Sequence, residues 1–230
     1  QISAVGDDEI GSLNFANTAI ANIDQSKFDN LSASQFSQLT AAQLSGLSAG
    51  QFGVISQDEA AALTAAQATA FKSITGFSAA NVIPYLDPKF VAAIPAKLFG
   101  ALSGTQLGAF TDTQVAAFTS AQLAALTPAK VYSIGKDSNG DADGSNLQYL
   151  TKAALAGLTS ANITGITNIT KLSGEGQFAS LTPAQIAGLS AGQIAVITAD
   201  QANALTAAQA PFFKSLTNFT SGAQDSADST

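Results

Sequence analysis

A hydroxyl residue returns every eight positions along most of this chain, and no regular helix or strand has a period of eight. The hydroxyls fall at Ser32, Thr40, Ser48, Ser56 and Thr64, at Ser103, Thr111, Thr119 and Thr127, and at Thr182, Ser190, Thr198 and Thr206. Three residues later comes Gln35, Gln43, Gln51, Glu59, Gln67, Gln106, Gln114, Gln122, Gln185, Gln193, Gln201 or Gln209; only Thr127, followed by Lys130, departs. This spacing is the capping box: the hydroxyl accepts from the N3 amide, and the N3 side chain returns to the cap's own N–H. Apolar residues flank it, as Leu181 and Ile186 flank Thr182 and Gln185, which supplies the hydrophobic staple. Each octad therefore carries a complete helix-start signal.

One continuous helix does not fit this pattern. Eight residues at about 100° each leave the apolar pair precessing by about 80° per repeat, so no stripe forms. Pro128 and Pro183 directly follow a cap, where the first helical position tolerates proline, and Gly46, Gly157 and Gly188 close their units. Alanine-rich interiors without two-residue alternation weigh against a β-solenoid. The pattern predicts an all-α solenoid, or superhelix, of very short capped helices with an eight-residue repeat. Burying two apolar side chains per octad contributes about 3 to 6 kcal/mol, less than the ordering cost of about 1 to 2 kcal/mol for each of eight residues. Contacts between units must supply the difference, so a lone octad is expected to be unfolded and the array cooperative.

A longer repeat overlies the short one. LSAGQFGVISQDEAAALTAAQATAFKSITGFS (47–78) recurs 142 residues later as LSAGQIAVITADQANALTAAQAPFFKSLTNFT (189–220), and the likeness reaches back to Gln35 and Gln177. The expected organisation is an irregular N-terminal cap (1–30), a first octad block (31–135), an acidic Gly/Asp/Asn loop (136–147), a second octad block (148–220) and a flexible polar tail (221–230). Residues 83–102 read as variant octads that keep the spacing and lose the glutamine.

Composition narrows the function classes. The chain is 46% hydrophobic, only 11% charged and carries a net charge of -7, and its nine basic residues are all lysine. An acidic surface without arginine disfavours nucleic acid. Histidine and cysteine are absent, which removes Ser-His and Cys-His nucleophile pairs and the usual zinc sites. Ser133 to Lys136 spells SxxK, the nucleophile motif of penicillin-binding proteins, but its SDN and KTG partners are missing. Asp58, Glu59, Asp112 and Asp200 sit in predicted first turns, where carboxylates suit the helix dipole, and so read as capping groups rather than acid-base catalysts. The phenylalanines, Phe212 and Phe213 included, read as core. No catalytic residue is assigned and no enzyme is expected.

In KDSNGDADGSN, the residues Asp137, Asn139, Asp141 and Asp143 alternate as calcium ligands do. Counting from either Asp137 or Asn139 leaves a key EF-hand position unmatched, so a structural calcium site and a solvated turn-rich loop both stand. No other cofactor is expected. Asn30, Asn162, Asn168 and Asn218 head glycosylation sequons. Missing methionine suggests a chain that starts after removal of a signal peptide, hence an extracellular or cell-surface location. No apolar run approaches the length of a membrane span.

At the repeat level the chain resembles the LTxxQ(I/V)xxL octads of large bacterial secreted or surface proteins. LTPAQIAGLS also resembles the opening of TAL-effector repeats, without their 34-residue period or base-reading pair. The repeating surface, the missing catalytic chemistry, the processed start and the sequons lead to an extracellular structural protein: a protomer of a fibre, sheath or surface layer, or an adhesin spacer. Its expected partners are further copies or other surface proteins, with no nucleic acid. The alternative is a module that binds glycans or proteins on the concave face of the solenoid.

Overall fold

The computed structural model describes residue 28 and residues 31–134, 145–166, 168–173 and 176–214. The calcium-ligand candidates Asp137, Asn139, Asp141 and Asp143, the sequons at Asn30 and Asn218, and Lys136 lie outside the described residues. Among those described, every element is an α-helix of four to seven residues or a single 3-10 turn, and there is no strand. The chain divides into two compact units, Gln1–Ala117 and Phe118–Thr230.

The start signals place the helices. Ser32, Thr40, Ser48, Ser56, Ser103, Thr119, Thr182, Ser190 and Thr198 are N-caps in extended backbone, and their hydroxyls accept from the N3 amide while the N3 side chain accepts from the cap N–H. Thr64 and Thr111 head boxes of the same kind, with the cap N–H donating to Gln67 Oε1 at 2.9 Å and to Gln114 Oε1 at 2.8 Å. Each helix stops after little more than one turn because the residue before the next cap turns extended; Leu63, for example, has φ -64 and ψ 130. In the glutamine-free stretch the same rhythm runs on other caps. Asp87 Oδ1 accepts from Lys89 N–H at 2.6 Å to start Pro88–Ala93, and Pro95 precedes Ala96–Ala101. Other units without a box are single 3-10 turns, as at Ile83–Tyr85, Ile169–Lys171 and Phe178–Ser180.

Two apolar positions per octad face inward, the residue after the glutamine and the one before the next cap. Phe36 with Leu39, Leu107 with Phe110, Leu123 with Leu126 and Ile186 with Leu189 are buried pairs of this kind. In the first unit Phe71 meets Phe77 edge-on, with centroids 5.4 Å apart, and also meets Phe90 at 6.0 Å. Phe212 departs from the core expectation: it stands six residues after Thr206, off both inward positions, and is 39% exposed.

Within each unit a helix packs on the one three elements further along, 24 residues away where the octads run unbroken. Ala33–Ser37 lies against Gln57–Ala62 and Pro88–Ala93 against Asp112–Val115 in the first unit; Ser120–Ala124 lies against Lys152–Leu155 and Pro183–Ala187 against Ala210–Lys214 in the second. Replacing Thr182 by Ala, which removes the acceptor for Gln185 N–H, is expected to lower stability by about 1 kcal/mol in urea unfolding, with Thr182→Ser near wild type. An unchanged Thr182→Ala midpoint would remove the hydroxyl from the argument.

Candidate functional site

The polar groups that recur through the fold are the N3 side chains, and each has two jobs. The first is local: Gln185 Oε1 accepts from Thr182 N–H at 2.7 Å, and Gln193 Oε1 from Ser190 N–H at 2.8 Å. The second reaches a different turn of the coil. Gln185 Nε2 donates to Leu155 O at 2.7 Å and Leu158 O at 2.6 Å, Gln193 Nε2 to Ile163 O and Ile166 O, and Gln201 Nε2 to Ile169 O and Leu172 O. In the first unit Gln67 reaches Phe36 O and Leu39 O, Gln106 reaches Thr75 O and Phe77 O, and Gln114 reaches Ile83 O and Leu86 O. Except for Thr75 O, which belongs to an exposed residue, these acceptors are the carbonyls of the two inward-facing residues, in the fourth octad upstream.

These side chains are sealed from water: the N3 residues from Gln43 to Gln67, Gln106 to Gln122 and Gln185 to Gln209 are 1–7% exposed. A buried carbonyl without a donor costs about 1 to 3 kcal/mol, so the amides remove a penalty that a coil of such short helices would otherwise meet at every unit. Helices pack at three octads and amides bridge at four, so one superhelical turn within each unit holds between three and four octads. The arrangement restates an α-helix one level up, with octads in place of residues and N3 amides in place of backbone N–H groups.

Two rungs depart from the octad glutamines. Asn162 is 2% exposed, its Oδ1 accepts from Thr159 Oγ1, and its Nδ2 donates to Leu123 O at 3.1 Å and Leu126 O at 3.4 Å. The sequon nitrogen is thus a rung, and a glycan on it requires the coil to open. Gln177 works from a cap four residues away, accepting from Ser173 N–H and donating to Leu147 O and Leu150 O. Glu59 keeps the local half with an acid, since its Oε2 accepts from Ser56 N–H and Oγ, both at 2.8 Å.

Other sequence candidates are placed as follows. Asn168 is half-buried and its Oδ1 accepts from Thr170 Oγ1. Ser133 donates through Oγ to Ala129 O at 3.1 Å, a bond within its own helix. Asp58, Glu59, Asp112 and Asp200 stand in first helical turns. Among the described residues no group of three or more Asp, Glu, His or Cys is placed to hold a metal ion, and no helix is long and apolar enough to cross a membrane.

The amide ladder was missed in the sequence, although a signal for it was present. A capping box accepts Gln or Glu alike, yet eleven of the twelve N3 positions named above are Gln. Only the amide carries a donor that can serve a second coil.

The family model of the ALTTAQ repeat matches residues 91–128. At the level of the repeat, the chain is similar to ALTTAQ proteins. The matched stretch runs through three boxes of the ladder, Ser103 with Gln106, Thr111 with Gln114 and Thr119 with Gln122. No curated protein and no solved structure matches the chain.

Proposed function

We propose that this is an extracellular structural repeat protein, the protomer of a fibre, sheath or surface layer or the spacer of an adhesin, and that it works without a catalytic centre. The observation that carries the reading is where its recurring polar groups are spent. The N3 amides, which recur at nearly every octad, are sealed inside and engaged in holding turn to turn. What the octads present outward is small and mostly uncharged, as with Ser120, Ala121, Ala191 and Gly192, a surface suited to presenting the same face many times. A secreted location and partnership with copies of itself or other surface proteins belong to the same reading.

Electron microscopy of the native material tests it. Filaments or sheets whose repeat matches a whole number of octads are expected. A particle that remains a single copy at high concentration overturns the polymer reading.

A further inference from the structure

The rungs of the ladder keep a register, and one position in it is held by an acid. Gln67 reaches the carbonyls 31 and 28 residues upstream, Phe36 O and Leu39 O, and Gln114 reaches Ile83 O and Leu86 O across the same two spans. One octad before Gln67 stands Glu59, from which those spans lead to Phe28 O and Leu31 O. That octad is built like the one Gln67 uses. Phe28 and Leu31 are buried, and Leu31 N–H donates to Phe28 O at 3.1 Å, as Leu39 N–H donates to Phe36 O at 3.2 Å. Phe28 also meets Phe36 edge-on, with centroids 5.9 Å apart. In the second copy of the duplication Glu59 is replaced by Gln201, whose Nε2 donates to Ile169 O and Leu172 O, both at 2.7 Å.

Glu59 is 1% exposed. Its Oε2 does the capping work with Ser56 N–H and Oγ, so Oε1, equally sealed from water, remains for the place that the amide nitrogen takes in the other rungs. A carboxylate there sets a negative oxygen against two carbonyl oxygens, whereas the neutral acid carries an O–H that donates as the amide does. We infer that Glu59 is a protonated rung, its Oε1–H donating to the carbonyl pair of Phe28 and Leu31, and that it forms a proton-dependent latch between these two turns of the coil. Ala33–Ser37 and Ile83–Tyr85 pack on its helix, Gln57–Ala62; the first has no titratable side chain and the second has Tyr85, which is exposed, as is Asp58 on the same helix. Lys27 and Asp29, on either side of Phe28 in the chain, lie outside the described residues. The folded chain then keeps a proton on Glu59 at a pH where the unfolded chain, ionising as an ordinary glutamate near about 4.3, has given it up. The latch is whole below that pH. It weakens as pH rises, by up to about tenfold in the folding equilibrium constant per pH unit, until Glu59 ionises in the fold.

Urea unfolding of the full chain between about pH 4 and about pH 8, wild type against Glu59→Gln, tests this, because every other titrating group is common to both proteins. The variant is expected to match wild type at the acid end and to gain on it steadily as pH rises, by tenfold or more in folding equilibrium constant. A second readout does not need the variant to fold. Folded wild type at about pH 6, where ordinary carboxyls are ionised, should show the infrared stretch of a protonated carboxyl and lose it on unfolding. A stability gap that does not change with pH, or no such infrared band, overturns the latch. So does a gap of the opposite sign, with wild type gaining on the variant as pH rises, which is the behaviour of an ionised Glu59 held by a cation. Each of these outcomes leaves the polymer reading as it stands.

Discussion

Replacing Gln185 by Leu is expected to cost the fold about 3 kcal/mol, several times the effect of removing the Thr182 hydroxyl beside it. The substitution keeps an apolar stem of similar size and removes three hydrogen bonds: Thr182 N–H to Oε1, and Nε2 to Leu155 O and to Leu158 O. Leu155 O retains the bond from Leu158 N–H at 3.0 Å. Thr182 N–H and Leu158 O lose their partners in a site where Gln185 is 2% exposed, at about 1 to 3 kcal/mol for each group so stranded. Gln185→Glu separates the two jobs. It keeps the acceptor for Thr182 N–H but puts an oxygen 2.6 to 2.7 Å from two carbonyl oxygens, so its loss should equal or exceed that of the leucine variant. Urea unfolding of the three proteins is the measurement. A Gln185→Leu loss no greater than that of Thr182→Ala would reduce the glutamine to a cap and leave the ladder without energetic weight.

Gly157→Val is expected to cost 3 kcal/mol or more, at or above the upper end of the usual range of about 1 to 3 kcal/mol for overpacking. A Cβ on Gly157 would lie 1.9 Å from Ser120 O, 2.5 Å from Ser120 C and 2.6 Å from Ser120 Cα, all backbone atoms that cannot swing aside. Gly165 meets Pro128 O at 2.1 Å and Gly188 meets Ser160 O at 2.2 Å in the same way. Gly157 and Gly188 sit six residues after their N-caps, Thr151 and Thr182, and Gly157 and Gly165 face the first helical residues of Ser120–Ala124 and Pro128–Ile134, so the close approach belongs to the coil and not to one site. The control is Gly192→Ala. Gly192 lies inside Ala191–Ala195 with only Ser190 Oγ near, at 4.0 Å, and should gain about 0.5 to 1 kcal/mol from helix propensity. Thermal melting of the two variants should move in opposite directions. A Gly157→Val midpoint near wild type would mean that the turns are not in backbone contact there.

The effects differ in size because they act over different distances along the chain. A lost hydroxyl cap is felt within one octad, whereas a lost amide or a forced Cβ separates turns that bury each other's apolar residues. Stability of this kind is cooperative along an array, so a fault at Gly157 or Gln185 should lower the protection of its neighbours as well as its own.

The positions of the helices were legible without coordinates because the capping box is closed within four residues. Ser190 and Gln193 find each other whatever the rest of the chain does, and Pro183 after Thr182 is tolerated in any fold that starts a helix there. The same locality made the phase argument decisive, and short helices at 182, 190 and 198 are what the chain forms. Sequence also gave the burial of the two apolar positions per octad. It misjudged Phe212, whose residue type suggested core while its place in the octad is outward.

What sequence spacing left open was where the amide nitrogens go. Gln193 reaches Ile163 across 30 residues and Asn162 reaches Leu123 across 39, and nothing in an eight-residue motif specifies either number. The acceptor depends on how many octads make a superhelical turn, which accumulates from the small bend at every junction between helices. That angle is set by Gly157 against Ser120 and by buried pairs such as Ile186 and Leu189, which exist only once turns lie on one another. The chain alone therefore determined a string of restarted helices, because each start satisfies its own orphaned amides. The tertiary structure decided that the residue performing the restart also ties the turns together, because a second acceptor for its nitrogen appears only after the chain has coiled.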